Sequence, residues 1–389
     1  MARPQALCHR VTREAGDGGG RRPPRGELKD AQRHAPLWRR QERREPRFAP
    51  GQAHASLGRM KTLLLFLWLL GAMPALAQNA PPAEREGFVI VEDGTRLFYK
   101  IEGVGPDTLV VVHGGPGFSL ESVRADFAPL AAHHRVIYYD QRGNGRSSLI
   151  GEADALTVPR HIADLEAIRR HFGLEKMVLL GNSWGGLLIS AYAAAHPDRV
   201  ERLILDVAAP PTLDYMREMN GRVAARAAER MSAAEQRRFG EIFQTRAWLS
   251  APDPVAICTD FARLMFRVYA FDPAVTLHFR GNLCAGSPEA VRRSLWVNEA
   301  ILRSFGEFDL RPAVRRVTAP VLVIHGVADV IPLAGARAWA ASYPNARLLL
   351  MQRWGHLAHL EEPDIFFAAV EEFLAGRWPA AAEPSSPSP

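Results

Sequence analysis

Gly181-Asn182-Ser183-Trp184-Gly185 is the stretch of this chain best suited to chemistry. The apolar run Val178-Leu179-Leu180 leads into it and a helical pattern through Tyr192 follows, which is the strand–turn–helix setting that a G-x-S-x-G nucleophile requires. Glycines flank the serine because the turn is sharp and neighbouring chain passes close to it. Ser183 thereby falls at a helix start, where backbone N–H groups favour developing negative charge. A serine hydroxyl is a weak nucleophile at its free pKa, so a base and an acid to orient that base must lie within reach. Two later loops supply them. Val321-Leu322-Val323-Ile324 reads as a buried strand with Asp329 just beyond it, and Arg347 to Leu350 as the next strand with His356 beyond. Ser183, Asp329 and His356 are the expected nucleophile, acid and base, the histidine taking the serine's proton while the carboxylate fixes its tautomer. Asp206, closing Leu203-Ile204-Leu205, is the alternative acid, and His359 the alternative base.

Acyl transfer also needs two backbone donors for the oxyanion. The N–H of Trp184, next after the nucleophile, is one. The second is assigned to Gly115 in His113-Gly114-Gly115-Pro116-Gly117, a loop after the early strand Leu109 to Val112 and rich in glycine so that backbone can approach a reacting carbonyl. Neither a P-loop lysine nor a dinucleotide G-x-G-x-x-G is present, which argues against a phosphate cradle.

Short β-branched runs alternating with amphipathic helical stretches position these residues. The runs are Phe88 to Val91, Arg96 to Ile101, Leu109 to Val112, Arg135 to Tyr139, Met177 to Leu180, Leu203 to Leu205, Val321 to Ile324 and Arg347 to Leu350. Between them, Asp164, Leu165, Ile168 and Phe172 share one helical face, and Ile365, Phe366, Val370 and Phe373 another. The pattern specifies an α/β protein with a mostly parallel sheet flanked by helices. Alternation breaks between about Pro210 and Val314, where helix follows helix, as in an inserted lid over the sheet's edge.

His113-Gly114-Gly115-Pro116-Gly117, Asp140-Gln141-Arg142-Gly143-Asn144-Gly145-Arg146-Ser147 and Gly181-Asn182-Ser183-Trp184-Gly185-Gly186, in that order, resemble the proline iminopeptidase branch of the α/β-hydrolase fold superfamily. The likeness spans about residues 86 to 376. It implies an α/β-hydrolase fold and a Ser-Asp-His hydrolase that releases N-terminal residues, often proline, from short peptides. It also implies lid acids that hold the substrate's free amine. Trp296-Val297-Asn298-Glu299 stands nearest to that acidic motif, making Glu299 the expected substrate-binding residue, with Glu218, Glu241 and Asp260 as rivals. Asp140 and the stretch Arg142 to Arg146 are expected to brace the site and to take no chemical step. An esterase of small acyl substrates on the same fold is the alternative activity, since a fold does not fix a substrate. A non-catalytic binding protein would be favoured by loss of a triad member, and none is missing.

Composition narrows the remaining classes. Of the 48 Lys and Arg, 14 lie before Met60 against six of the 42 acids, so the first 59 residues carry about +8 and the rest about −2. The basic character of the chain is thus confined to one stretch, and the folded part has no net reason to bind nucleic acid. Residues 1–59, rich in Arg, Pro and Gly without periodicity, are expected to be disordered or not translated. Met60-Lys61, the apolar run Leu63 to Leu70 and the small-x-small ending Ala75-Leu76-Ala77 read as a signal peptide over residues 60–77, which implies a periplasmic or secreted enzyme beginning near Gln78. That apolar run is short for a membrane span, so no stable span is expected after cleavage. The expected order is then hydrolase core over 78–209, helical lid over 210–314, core again over 315–377, and a disordered Pro/Ser tail over 378–389. Cys258 and Cys284 remain after cleavage, an even count that an oxidising compartment can pair, though spacing leaves two free thiols equally open. No H-E-x-x-H or C-x-x-C occurs, so neither a metal nor another cofactor is expected, and a small peptide or ester is the expected partner.

Overall fold

Strict alternation along the central strands puts apolar side chains on both faces of the sheet, so both faces must be covered. The computed structural model describes residues 85–384. The expectations for residues 1–59 and 60–77 lie outside the described residues. Nine strands form one sheet: β1 (Glu86–Ile90), β2 (Arg96–Glu102), β3 (Thr108–Val112), β4 (Arg135–Tyr139), β5 (Met177–Asn182), β6 (Val200–Asp206), β7 (Val321–Gly326), β8 (Ala346–Met351) and β9 (Ala382–Pro384). Their order is β1-β2-β4-β3-β5-β6-β7-β8-β9. The six strands from β4 to β8 run parallel, and β1, β2 and β9 pair antiparallel at the edges.

Val110, Val112, Leu179, Leu203, Leu205 and Val323 face one side, where they meet α1 (Val158–His171), α2 (Trp184–Ala195) and, farther along the chain, the helix Leu333–Ser342. Leu109, Val111, Leu180, Ile204, Leu322 and Ile324 face the other, against Phe127, Phe366, Val370 and Phe373. Because α2 lies behind the sheet's centre, its residues from Trp184 to Ala194 are all buried, and it carries no charge. Strand β6 is longer than its apolar centre suggests: Glu201 and Arg202 lie at its N-terminal end, where their side chains still reach solvent.

Between β6 and β7 come α3 (Leu213–Arg230), α4 (Ala233–Ile242), α5 (Thr245–Leu249), α6 (Pro254–Tyr269), α7 (Pro288–Phe305) and α8 (Arg311–Val314). Their capping is local and readable: Ser232 and Glu235 form a reciprocal capping box on α4, and Ser287 caps α7. These helices have a core of their own around Trp248, Phe261, Leu264 and Val291. Cys258 of α6 and Cys284, in the connection to α7, form a disulfide. After β7 follow α9 (Leu333–Ser342), α10 (Ala358–Glu361) and α11 (Pro363–Leu374).

The chain's end departs from expectation. Residues 378–384 are ordered, not a disordered tail: Trp378 packs on Phe373 at 5.2 Å and beneath the Arg347 guanidinium at 5.1 Å. Ala382 is buried and β9 closes the β8 edge. Proline is tolerated there because an edge strand needs only one side of its backbone paired. Residues 385–389 lie outside the described residues.

Asp164, the one acid on the buried face of α1, finds its reason in Arg142. The guanidinium bonds both Asp164 oxygens at 2.7 and 2.6 Å, and Asp93 at 3.0 Å, while Arg142 and Asp164 are each 1% exposed. The pair anchors the Asp140-to-Ser147 loop to α1. Asp164→Ala leaves the buried guanidinium with only the partly exposed Asp93 as a carboxylate partner, so it is expected to lower unfolding free energy by about 3–5 kcal/mol. Urea denaturation checks this, and a loss below about 1 kcal/mol would show that the pair carries no such burden.

Candidate active site

Strand β5 ends at Asn182 and α2 starts at Trp184, leaving a single residue to make the turn. Ser183 adopts φ 54° and ψ −118°, a backbone conformation that is rare for a residue with a Cβ. Three backbone hydrogen bonds hold it there. Its N–H donates to Asp206 O at 2.9 Å, and its carbonyl accepts from Gly186 N at 3.0 Å and Ala209 N at 2.9 Å. Gly185 must lack a side chain, because a Cβ would overlap the Val112 carbonyl of β3. The sequence G-x-S-x-G is thus a packing requirement of β3, β5 and β6 crowding one point.

Asp329 and His356 follow β7 and β8, so both lie past the C-terminal ends of neighbouring parallel strands. His356 Nδ1 donates to Asp329 Oδ2 at 2.9 Å, and the second carboxylate oxygen, Oδ1, accepts from Ile331 N at 3.0 Å. Both residues are buried. The His356 backbone N–H donates to Tyr269 O at 2.8 Å, and the Tyr269 ring lies 4.8 Å from the imidazole. Burial presses the His356 pKa downward, but the Asp329 charge and hydrogen bond, followed by the charges of Asp206 and Glu361, more than offset it and leave it above 6.5.

The loop after β3 completes the arrangement. A Cβ on Gly114 would meet Ser183 Cβ at 3.3 Å, which measures how closely this loop approaches the serine. Gly115 has φ +119°, a value that favours glycine. His113 does not face the reaction: its Nδ1–H donates to Gly114 O at 2.8 Å and its Nε2 accepts from Gln141 N at 3.3 Å. Burial lowers its pKa to about 4, so it stays neutral. Gln141 also donates to His113 O at 3.0 Å and accepts from Trp184 Nε1 at 2.8 Å, tying the glycine loop to the start of α2. Asp140 in turn accepts from the N–H groups of Leu120 and Arg146, each at 2.7 Å. Gly114, Gly115, Ser183 and His356 all line one cavity of about 100 Å³.

A family model described as the alpha/beta hydrolase fold matches residues 107–363. The chain belongs to that family. A protein named proline iminopeptidase from Lactiplantibacillus plantarum is 26% identical over 306 residues, covering 73% of this chain and 98% of that protein. Among solved structures, a hydrolase from Pseudomonas aeruginosa superposes with a TM-score of 0.55 at 26% identity, covering 75% of this chain and 99% of the other. Proline iminopeptidase from Mycobacterium smegmatis gives 0.51 at 25% identity, with 75% and 98% covered.

The remaining candidate residues of this α/β-hydrolase separate into two groups. Asp206 and His359 do not join the Asp329–His356 pair. They face each other at 3.8 Å, with Asp206 also accepting from Asn182 Nδ2 at 2.7 Å, although His359 lines the same cavity as Ser183. Burial lifts the Asp206 pKa to about 7 and drops that of His359 to about 3. Glu299 lies on α7 at a second cavity of about 300 Å³, which shares Gly115, Phe118, Met265 and Tyr269 with the first. Its carboxylate is half-exposed and pairs with Arg303 at 3.2 Å. Its rivals are also paired, Glu218 with Arg222, Glu241 with Arg238, and Asp260 with Arg238 and Arg263.

Two contributors escaped sequence reading. Gln141 stands in the motif that carries the resemblance without a role of its own, and Glu361 gives no signal at all, because its partners are backbone groups 6 and 90 residues away.

If His356 must be neutral to accept a proton, activity is lost as pH falls through its raised pKa. The acid limb of kcat/KM is therefore expected above pH 6.5, and Asp329→Asn is expected to move it downward while lowering kcat. A pH–rate series on both proteins checks this; a limb at or below 6.5 in the unaltered enzyme would contradict the assigned electrostatics.

Proposed function

We propose that the protein is an exported serine aminopeptidase of proline iminopeptidase type, acting on short peptides. The observation that carries this reading is the opening of Ser183, His356 and the Gly115 loop onto one small cavity, with Asp329 bonded behind the histidine. The names of the relatives at about 25% identity support the substrate class. Ser183 Oγ attacks the scissile carbonyl and passes its proton to His356 Nε2, while Asp329 stabilises the imidazolium. The N–H groups of Gly115 and Trp184 receive the oxyanion. Collapse expels the amine of the shortened peptide, which takes the proton from His356 and leaves an acyl ester on Ser183. Water then attacks that ester, His356 accepts its proton and returns it to Ser183 Oγ, and the free residue departs. A cavity of about 100 Å³ suits a compact acyl residue. Glu299, at the adjoining cavity with Asn220 and Asn298, is the proposed contact for the substrate's ammonium. The Cys258–Cys284 disulfide supports export, since disulfides persist in oxidising compartments.

One observation favours esterase action instead. Glu299, Glu218, Glu241 and Asp260 are each already matched by an arginine, so an ammonium must compete for any of them. Hydrolysis of a prolyl arylamide, its N-acetyl form and a short nitrophenyl ester, each with and without Ser183→Ala, separates the readings. Turnover of the free-amine arylamide alone, reduced by about 10⁴-fold or more in the serine variant, is the expected result. Ser183-dependent ester turnover without arylamide turnover would replace the peptidase with an esterase. In the same preparation, mass spectrometry of the exported protein is expected to find Gln78 at its start; peptides from residues 1–59 would contradict that processing.

A further inference from the structure

Between the base-bearing loop and the inserted helices lies a contact that the chemistry above does not use. Glu361, the last residue of the one-turn helix α10, accepts two backbone hydrogen bonds of 2.5 Å each. Oε1 takes the N–H of Phe271, two residues past the end of α6, and Oε2 takes the N–H of Gly355, the residue before His356. The two backbones it joins are in direct contact. His356 N–H donates to Tyr269 O, and a Cβ on Gly355 would lie 2.5 Å from both Phe271 N and Tyr269 O. From the other side Arg230 of α3 donates to the carbonyls of Arg267, Ala270 and Phe271 at 3.1, 2.6 and 3.1 Å. The chain leaving α6 is therefore held through the Phe271 N–H by Glu361 and through the carbonyls of Arg267, Ala270 and Phe271 by Arg230. Glu362 next door does something separate, accepting from Trp354 Nε1 at 2.9 Å.

We propose that Glu361 is a positioning residue for His356, its carboxylate fixing the imidazole's backbone by bridging Gly355 to the C-terminal turn of α6. The proposal rests on the reading of His356 as the base for Ser183. Two acceptor oxygens are required at once, one for each N–H, and only an ionised carboxylate offers them with this reach. A glutamine replaces one acceptor by a donor, which would face a backbone N–H and push the loop away. Misplacing a proton acceptor by a fraction of an ångström is enough to slow the reaction. The carboxylate acts on the imidazole's charge as well as its place. The titratable groups around His356 are Asp329, Asp206, Glu361, His359, His325 and the Tyr269 phenol. Of these, Asp329, Asp206 and Glu361 favour the imidazolium, in that order. Burial raises Glu361 itself to about 7 against its two hydrogen bonds, so its ionised form is fully present only on the alkaline side of that value.

The test measures the rate at which a fluorophosphonate labels Ser183, followed by mass spectrometry across pH and expressed per folded molecule. This readout depends on the base and not on which substrate the enzyme prefers. Glu361→Gln is expected to slow labelling roughly ten- to a hundredfold and to move the acid midpoint to lower pH, while Glu362→Gln leaves both unchanged. Equal rates and midpoints in Glu361→Gln and the unaltered protein would overturn the proposal, as would the same slowing in Glu362→Gln. Should Glu361→Gln not fold, Glu361→Asp carries the test, because it keeps the charge one methylene short. Slower labelling with little change in midpoint then supports the positioning role, and unchanged labelling overturns it. If the unaltered protein itself resists the reagent, the reading of Ser183 and His356 fails instead, and that outcome is distinct from the others.

Discussion

Everything at this site depends on one strained residue. Ser183 turns the chain from strand to helix at φ 54°, a conformation that costs of the order of 1–3 kcal/mol. Three backbone hydrogen bonds, worth roughly 1 kcal/mol each, are of the size needed to hold it. Two of their partners, Asp206 and Ala209, belong to β6 and the loop after it, so the serine is fixed by the neighbouring strand as much as by its own. Crowding by β3 from the opposite side removes any freedom for a side chain at Gly185. Parallel strand order makes this possible: β3, β5 and β6 are adjacent in the sheet and end at the same edge.

From that point the supports spread outward through buried polar contacts. Trp184, Gln141 and His113 link the helix start to the glycine loop, and Asp140 and Arg142 hold the loop carrying Gln141. Burying such groups is tolerable only when each finds its partners, and here backbone N–H groups and carboxylates supply them. On the other side of the serine, Asp329 bonds the His356 ring and Glu361 the backbone N–H of the residue before it, Gly355. The inserted helices are thereby mechanically part of the site, since the backbone of Tyr269 and Phe271 takes part in holding the histidine loop.

The sheet was legible because its strands are buried on both faces and so read as short continuous apolar runs. Eight of them stand out, and the ninth does not: Ala382–Pro384 is short, partly proline, and defined by its fit beside β8 rather than by its own pattern. Ser183, Asp329 and His356 could be grouped as candidates because each follows a recognisable strand. Asp206 as a substitute acid and His359 as a substitute base were also admissible from loop position; in the structure the 2.9 Å bond joins His356 to Asp329, while His359 and Asp206 stand 3.8 Å apart. Asp164 could be placed on a helical face but not explained there, since its partner Arg142 lies on a different element. Substrate recognition is least legible. Glu299 falls in a region that reads as helical, while its ion pair with Arg303, with which a substrate ammonium would have to compete, is a matter of side-chain geometry that no spacing rule contains.

The proposed mechanism requires one sheet edge to bring nucleophile, base and oxyanion donors to a single point. The most direct measurement is a crystal structure of the protein after reaction with a phosphonate that mimics the tetrahedral intermediate. The expected result is a bond from Ser183 Oγ to phosphorus, with one phosphoryl oxygen about 2.7–3.1 Å from the backbone nitrogens of both Gly115 and Trp184. His356 Nε2 should then face the ester oxygen while Nδ1 keeps its bond to Asp329. An adduct on another residue, or a phosphoryl oxygen turned away from those two nitrogens, would contradict it.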